Sequence, residues 1–242
     1  MNLNLAEENV QTIRAMMKRA ALYRRTLAPV MIYLGMIGII SAVIAEVGLF
    51  NGSKSIRAPE SIALFWLCVG GVALLGALVL ARHKAIGVSE PFWSAPTSIV
   101  VQSIAPLLLV GFALGLVEVL WPLDADNPLL ASASQHGAIR LISLWLMCYG
   151  CALILVGSLV GCASKLFGWC FLVSGLALYF IMNVSALAKE LPGSPDRYAS
   201  LLMGLFFGCG HLACGVYLYF TEDEDKKNSE QEEPLKKLEE EA

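Results

Sequence analysis

Six apolar runs, each close to twenty residues long, constrain this chain more than any other feature. They are Leu27–Phe50, Ser61–Leu80, Ile99–Trp121, Leu141–Val160, Leu166–Ala188 and Tyr198–Phe220. An apolar run of about 18 residues or more is long enough to cross a bilayer as a helix. Composition points the same way. Of the 242 residues 57% are hydrophobic and 15% charged, whereas soluble domains carry about 25% charged residues. The connections are short and leave no room for a separate soluble domain. The expected fold is all-α: a polytopic six-transmembrane-helix bundle over 27–220, an amphipathic cytoplasmic helix over 1–26, and a disordered acidic tail over 221–242.

The first run is expected to stay as an anchor. A polar and amphipathic segment precedes it, and its apolar stretch exceeds the core of a cleaved signal peptide. Orientation follows from lysine and arginine. The side that would hold both termini carries twelve of them, among them Arg14, Lys18, Arg19, Arg24, Arg25, Arg82, Lys84 and Lys165; the opposite side carries Lys54, Arg57, Arg140, Lys189 and Arg197. Both termini are therefore expected in the cytoplasm, which makes this a protein of the cell (inner) membrane.

The flanks differ in charge. Residues 4–25 (NLAEENVQTIRAMMKRAALYRR) pair a capping box at Asn4 and Glu7 with an apolar stripe of Val10, Ile13, Met17, Ala20 and Ala21. A helix lying on an anionic lipid surface is the plain reading, and a docking site for a cytoplasmic protein is the other. The tail over 221–242 carries ten acids and four lysines. Such a block is usually solvated and disordered, with a docking helix over EEPLKKLEEEA as the alternative. The lipid bilayer is the expected partner. No basic patch with interleaved aromatics is present, so nucleic acid is not expected.

Small residues recur inside the last three runs as G-x6-G: Gly150 and Gly157, Gly168 and Gly175, Gly208 and Gly215, extended by Gly161 and Gly204. Seven residues are nearly two helical turns, so each pair shares a face. Small residues at that spacing let helix backbones approach closely in lipid. These three helices are expected to form the tight half of the bundle. Pro106 in the third run is expected to kink or loosen its helix.

Ionisable groups inside apolar spans are costly, and each raises a functional question. Glu46 lies on the small face of Gly35, Gly38 and Ala42, near the outer end of the first span. Glu118 lies on the face of Gly111 and Gly115 near the outer end of the third. Arg140 begins the fourth span and Asn183 lies late in the fifth, at comparable depth. One reading gathers Glu46, Glu118, Arg140 and Asn183 into an outer-leaflet vestibule for a cation or small polar ligand. The other has them pair or snorkel to the headgroups. The third loop holds Asp124, Asp126 and Asn127 without calcium-loop spacing, which fits a solvated turn.

Seven cysteines fall in or beside the apolar runs, where cysteine behaves as a small hydrophobe. Cys148-Tyr149-Gly150-Cys151 has the C-x-x-C form used by thiol relays. The outer loops, however, hold no cysteine to pass electrons onward. Neither a disulfide framework nor a metal site is implied.

His211 lies mid-span in FGCGHLACGVY. Cys209 and Cys214 fall on other faces of the helix, His83 and His136 lie at other depths, and zinc needs three or four converging ligands. Metal and haem are therefore not expected. Gly204, Gly208, His211 and Gly215 recur at steps of four, three and four, so the ring is expected to project from the glycine face into the bundle. Two roles stand for it: packing with a hydrogen bond to another helix, or a proton or ion relay.

The stretches TIRAMMKRA, LWLMCYGCALILVGSL, FGWCFLVSGLALYF and MGLFFGCGHLACGVYLYF resemble an uncharacterised group of bacterial multi-pass inner-membrane proteins. These share an N-terminal IR-x-M helix and a G-x-x-H-x-x-x-G signature in the last of about six spans. The resemblance implies the topology and supplies no activity. No nucleophile–base pair, metal set or cofactor motif is present, so catalysis, and with it any catalytic residue or cofactor, is not expected. A non-enzymatic sensor or partner subunit is the leading expectation. A small transporter or channel through the vestibule and His211 is second, and an intramembrane thiol redox protein using Cys148 and Cys151 third.

Overall fold

A computed structural model of the chain describes residues 27–49, 59–87, 95–120, 137–160, 162–184 and 195–221. The N-terminal segment, the loops and the acidic tail lie outside the described residues, as do Gly161 and the side chain of Asn183. Every described element is helical, and six helices are long and apolar enough to cross a membrane. They are α1 (27–49), α2 (Pro59–Gly87), α3 (Ala95–Leu120), α4 (Gly137–Val160), α5 (Cys162–Val184) and α6 (195–221).

Their ends reflect local chemistry. Proline opens α2 and α6 at the first helical position, where its missing N–H costs nothing. Helix α4 begins at Gly137, four residues before the apolar run at Leu141. Arg140 therefore sits within its first turn, three residues after the helix begins. Helix α3 continues through Pro106.

Two glycine seams set the architecture. In the first, α4 and α5 interlock reciprocally. A Cβ on Gly150 would lie 2.6 Å from the Leu172 nitrogen, and one on Gly168 would lie 2.7 Å from the Ile154 nitrogen. The seam runs on to Gly157 against Lys165 and to Gly175 against Ser143 and Leu146. In the second, α6 meets α1. Gly208 lies on Gly38 and Ile39, Gly215 on Ile32, Gly204 on Ala42, and Gly35 on Leu212. Gly204, Gly208 and Gly215 of α6 thus face the first helix, whereas Gly210 lies against Phe167 and Phe171 of α5. Helices whose backbones approach this closely gain dispersion contacts along their length, the main source of association where the surroundings are as apolar as the side chains.

Between the seams lies a core of Ile62, Trp66, Ala138, Ile139, Ile142, Leu146, Phe171, Ala199 and Met203. Side-chain hydrogen bonds also tie α2 and α3 to their neighbours. Tyr33 Oη donates to the Val72 carbonyl at 3.2 Å, Trp145 Nε1 to the Gly111 carbonyl at 2.7 Å, and Trp66 Nε1 to Ser200 Oγ at 3.4 Å.

Candidate functional site

Helix α6 does not hold the α-helical pattern throughout. Over Gly204–Gly210 it widens into a π-helical stretch, whose backbone bonds run five residues rather than four. His211 follows directly and is 2% exposed, near the middle of the span. The ring and the glycines that share its periodicity meet different neighbours. Gly204, Gly208 and Gly215 meet α1, while the rings around His211 come from α4, α5 and the stretch just before it. A uniform helical period misses this, because it allows for no inserted residue.

The histidine is enclosed by aromatic rings. Phe207 stacks on it with centroids 5.7 Å apart and a 17° interplanar angle. Phe167 and Phe171 meet it edge-on at 5.4 and 5.6 Å, and Tyr149 is tilted against it at 5.2 Å. Phe167 and Phe171 also pack on each other at 4.6 Å. Edge-to-face and offset contacts suit the ring quadrupoles. Tyr149 Oη and His211 Nε2 share a hydrogen bond of 2.7 Å, which satisfies two polar groups that would otherwise be stranded in an apolar interior. Nδ1 is buried and makes no hydrogen bond of acceptable geometry.

Tyr149 is the residue the sequence concealed. It stands inside Cys148-Tyr149-Gly150-Cys151, where the cysteines draw attention and the ring between them makes the contact. Both cysteines are free thiols, as are Cys68, Cys170, Cys209 and Cys214. Among the described residues no three His, Cys, Asp or Glu side chains gather as a metal set would.

Glu46, Glu118, Arg140 and Arg197 lie at one end of the bundle, where α1 and α3 finish and α4 and α6 begin. Glu46 lies in a second π-helical stretch, Ala45–Leu49, and its Oε1 forms an ion pair with Arg197 Nη2. Its Oε2 is buried without a partner. The sequence placed Arg197 only among the outer-side charges. Glycine spacing could not have paired it with Glu46, because spacing does not say which helix meets which; the contact of α1 with α6 does. Glu118 lies against the start of α4, where a Cβ on Gly137 would come 2.5 Å from its Oε1. Gly111 and Gly115, on the same face of α3, lie under the Trp145 ring. Arg140 is part-buried and its carbonyl accepts a 2.7 Å hydrogen bond from Ser143 Oγ. Glu46 and Glu118 are thus engaged on different neighbours, α6 and α4. Against protein families, curated proteins and solved structures the chain has no match.

Proposed function

We propose that this chain is a multi-pass integral membrane protein of the cell (inner) membrane, with both termini cytoplasmic. It acts as a non-enzymatic sensor or partner subunit and belongs with the bacterial multi-pass proteins it resembles. Six helices of spanning length and apolarity support the membrane reading. The observation that carries the functional reading is the enclosure of His211. An ion or proton path needs polar groups in series on both sides of a mid-span relay. Here the ring is 2% exposed, its one bonded partner is Tyr149, and phenylalanines surround the rest. A group held this way is a fastening between α4, α5 and α6, and interaction with partners falls to the surfaces and flanks.

The test uses the full chain, purified and reconstituted into liposomes, alongside tagged protein isolated from its native membrane. Proton and cation flux is expected to match protein-free liposomes for wild type and for His211→Leu alike. Proteins bound to the wild type are expected to dissociate when residues 4–25 or 222–242 are deleted. A flux present in wild type and abolished in His211→Leu overturns the reading. So does retention of the same partners after both deletions.

A further inference from the structure

A groove of about 280 Å³ opens between α4, α5 and α6 at the charged end of the bundle. That is just below the range of small-molecule pockets, about 300–1,000 Å³. Its walls are Ile139, Leu178, Met182, Tyr198, Leu201, Leu202 and Leu205. We propose that this groove binds one acyl chain of a bilayer phospholipid, with the headgroup phosphate held by Arg197 at its mouth. The proposal rests on the membrane reading above.

Three features select this occupant. The first is shape. Tyr198, Leu201, Leu202 and Leu205 follow one side of α6 over seven residue steps, about 10 Å at 1.5 Å per residue. The groove therefore runs along the helix, parallel to the chains of a surrounding bilayer. The second is the lining. Docked helices in an apolar medium meet over small residues, as both glycine seams of this bundle do. The groove has no glycine or alanine and is walled by long, adaptable side chains, which conform to a flexible hydrocarbon but hold a helix at a distance. The third is charge. Arg197 stands one helical turn beyond Leu201, at the end of the span where headgroups lie, and its side chain is 57% exposed. Its ion pair with Glu46 is made through Nη2. A guanidinium carries five N–H donors in a planar fork that matches phosphate oxygens, so the same side chain serves both anions. Glu46, on α1, holds one nitrogen of the fork and leaves its remaining donors for the headgroup.

The experiment is native mass spectrometry of the full chain in mild detergent, with dioleoyl phosphatidylglycerol or with dioleoylglycerol, which has the same chains and no phosphate. Wild type is expected to retain phosphatidylglycerol through detergent exchange and to lose dioleoylglycerol. Leu205→Trp, which fills the groove from a half-exposed position, is expected to lose the phospholipid. Arg197→Gln is expected to reduce its retention to the dioleoylglycerol level. Leu75→Trp, on the exposed side of α2, is expected to behave as wild type. Equal retention by wild type and Leu205→Trp overturns the proposal, as does equal retention of the two lipids by wild type. A measurement on unmodified protein covers a failure of Leu205→Trp to fold. A phospholipid with a diazirine in its acyl chain is expected to label 178–182 and 198–205 above all other segments, and uniform labelling overturns the proposal. Extraction of membranes at alkaline pH separates the two claims: protein released to the supernatant defeats the membrane reading, whereas retained protein without a lipid adduct defeats only the groove.

Discussion

Helices α4 and α3 are almost equally apolar, with mean hydropathies of 2.1 and 2.2 over their spanning stretches, yet 50% of the first stretch is buried inside the protein and 11% of the second. Hydrophobicity does not separate them. Small residues do, provided a partner helix meets them backbone to backbone. Gly150 and Gly168 are each within 3 Å of the other helix's backbone, once a Cβ is imagined. On α2, Gly70 and Gly71 have nothing within 4 Å, and Leu74, Leu75, Leu78 and Val79 are exposed around them. In water that surface would be driven inward. In a bilayer it is already solvated, and only close packing and hydrogen bonds distinguish one helix face from another.

Substitutions at glycine attack this contrast most strongly. Leucine at Gly168 or Gly208 must enter space where even a Cβ meets a backbone nitrogen within 2.9 Å. Backbone cannot yield as a side chain tip can, so a loss of about 3 kcal/mol or more is expected, visible as loss of monodisperse protein in detergent. The same leucine at Gly70 or Gly71 is expected to change stability by no more than about 0.5 kcal/mol. Equal damage at the two sets would erase the distinction between seam and open face.

His211→Ala comes next. It opens a cavity among Phe167, Phe171 and Phe207 and strands the Tyr149 hydroxyl. A cost of about 3 kcal/mol is expected in thermal or denaturant unfolding. Trp145→Phe keeps most of the ring packing on Gly111 and Gly115 but removes the donor to the Gly111 carbonyl. About 1 kcal/mol is expected there, with proteolysis sharpening around α3 while α4 and α5 stay protected. Among the residues that make contacts, Arg197→Gln should have the smallest effect on stability. Its side chain is 57% exposed, and exposed ion pairs contribute about 0–1 kcal/mol. A large loss there would make the Glu46–Arg197 pair a structural clamp in its own right.

Much of this arrangement is legible from the chain, and the gaps have physical causes. Apolar length marks the six helices directly, because each must carry its own hydrogen-bonded backbone over a similar distance. The ends are less legible. Arg140 looked like a boundary, but a helix tolerates a charged residue in its first turn, and α4 starts before it. Glycine spacing tells which residues share a face and is silent on which helix meets that face. The spacing grouped α4, α5 and α6, whereas Gly204, Gly208 and Gly215 lie on α1. A π-helical stretch over Gly204–Gly210 is invisible to any fixed period, and His211 follows it directly, among rings from α4 and α5. Tyr149 and Arg197, the partners of the two most conspicuous ionisable residues, lie 62 and 151 positions from them in the sequence. Only the packing of the glycine seams brings them within reach.

The claim at the centre of this account is that His211 fastens α4 to α6 through Tyr149, as a sealed structural contact. A double-mutant cycle of Tyr149→Phe and His211→Leu, followed by unfolding of the reconstituted protein, measures that directly. Each single change strands one buried polar partner, and the double change removes both. The singles are expected to be non-additive, with a coupling of about 1–2 kcal/mol and a double mutant less damaged than their sum. Additivity within about 0.5 kcal/mol would contradict it and leave His211 without the role given to it here.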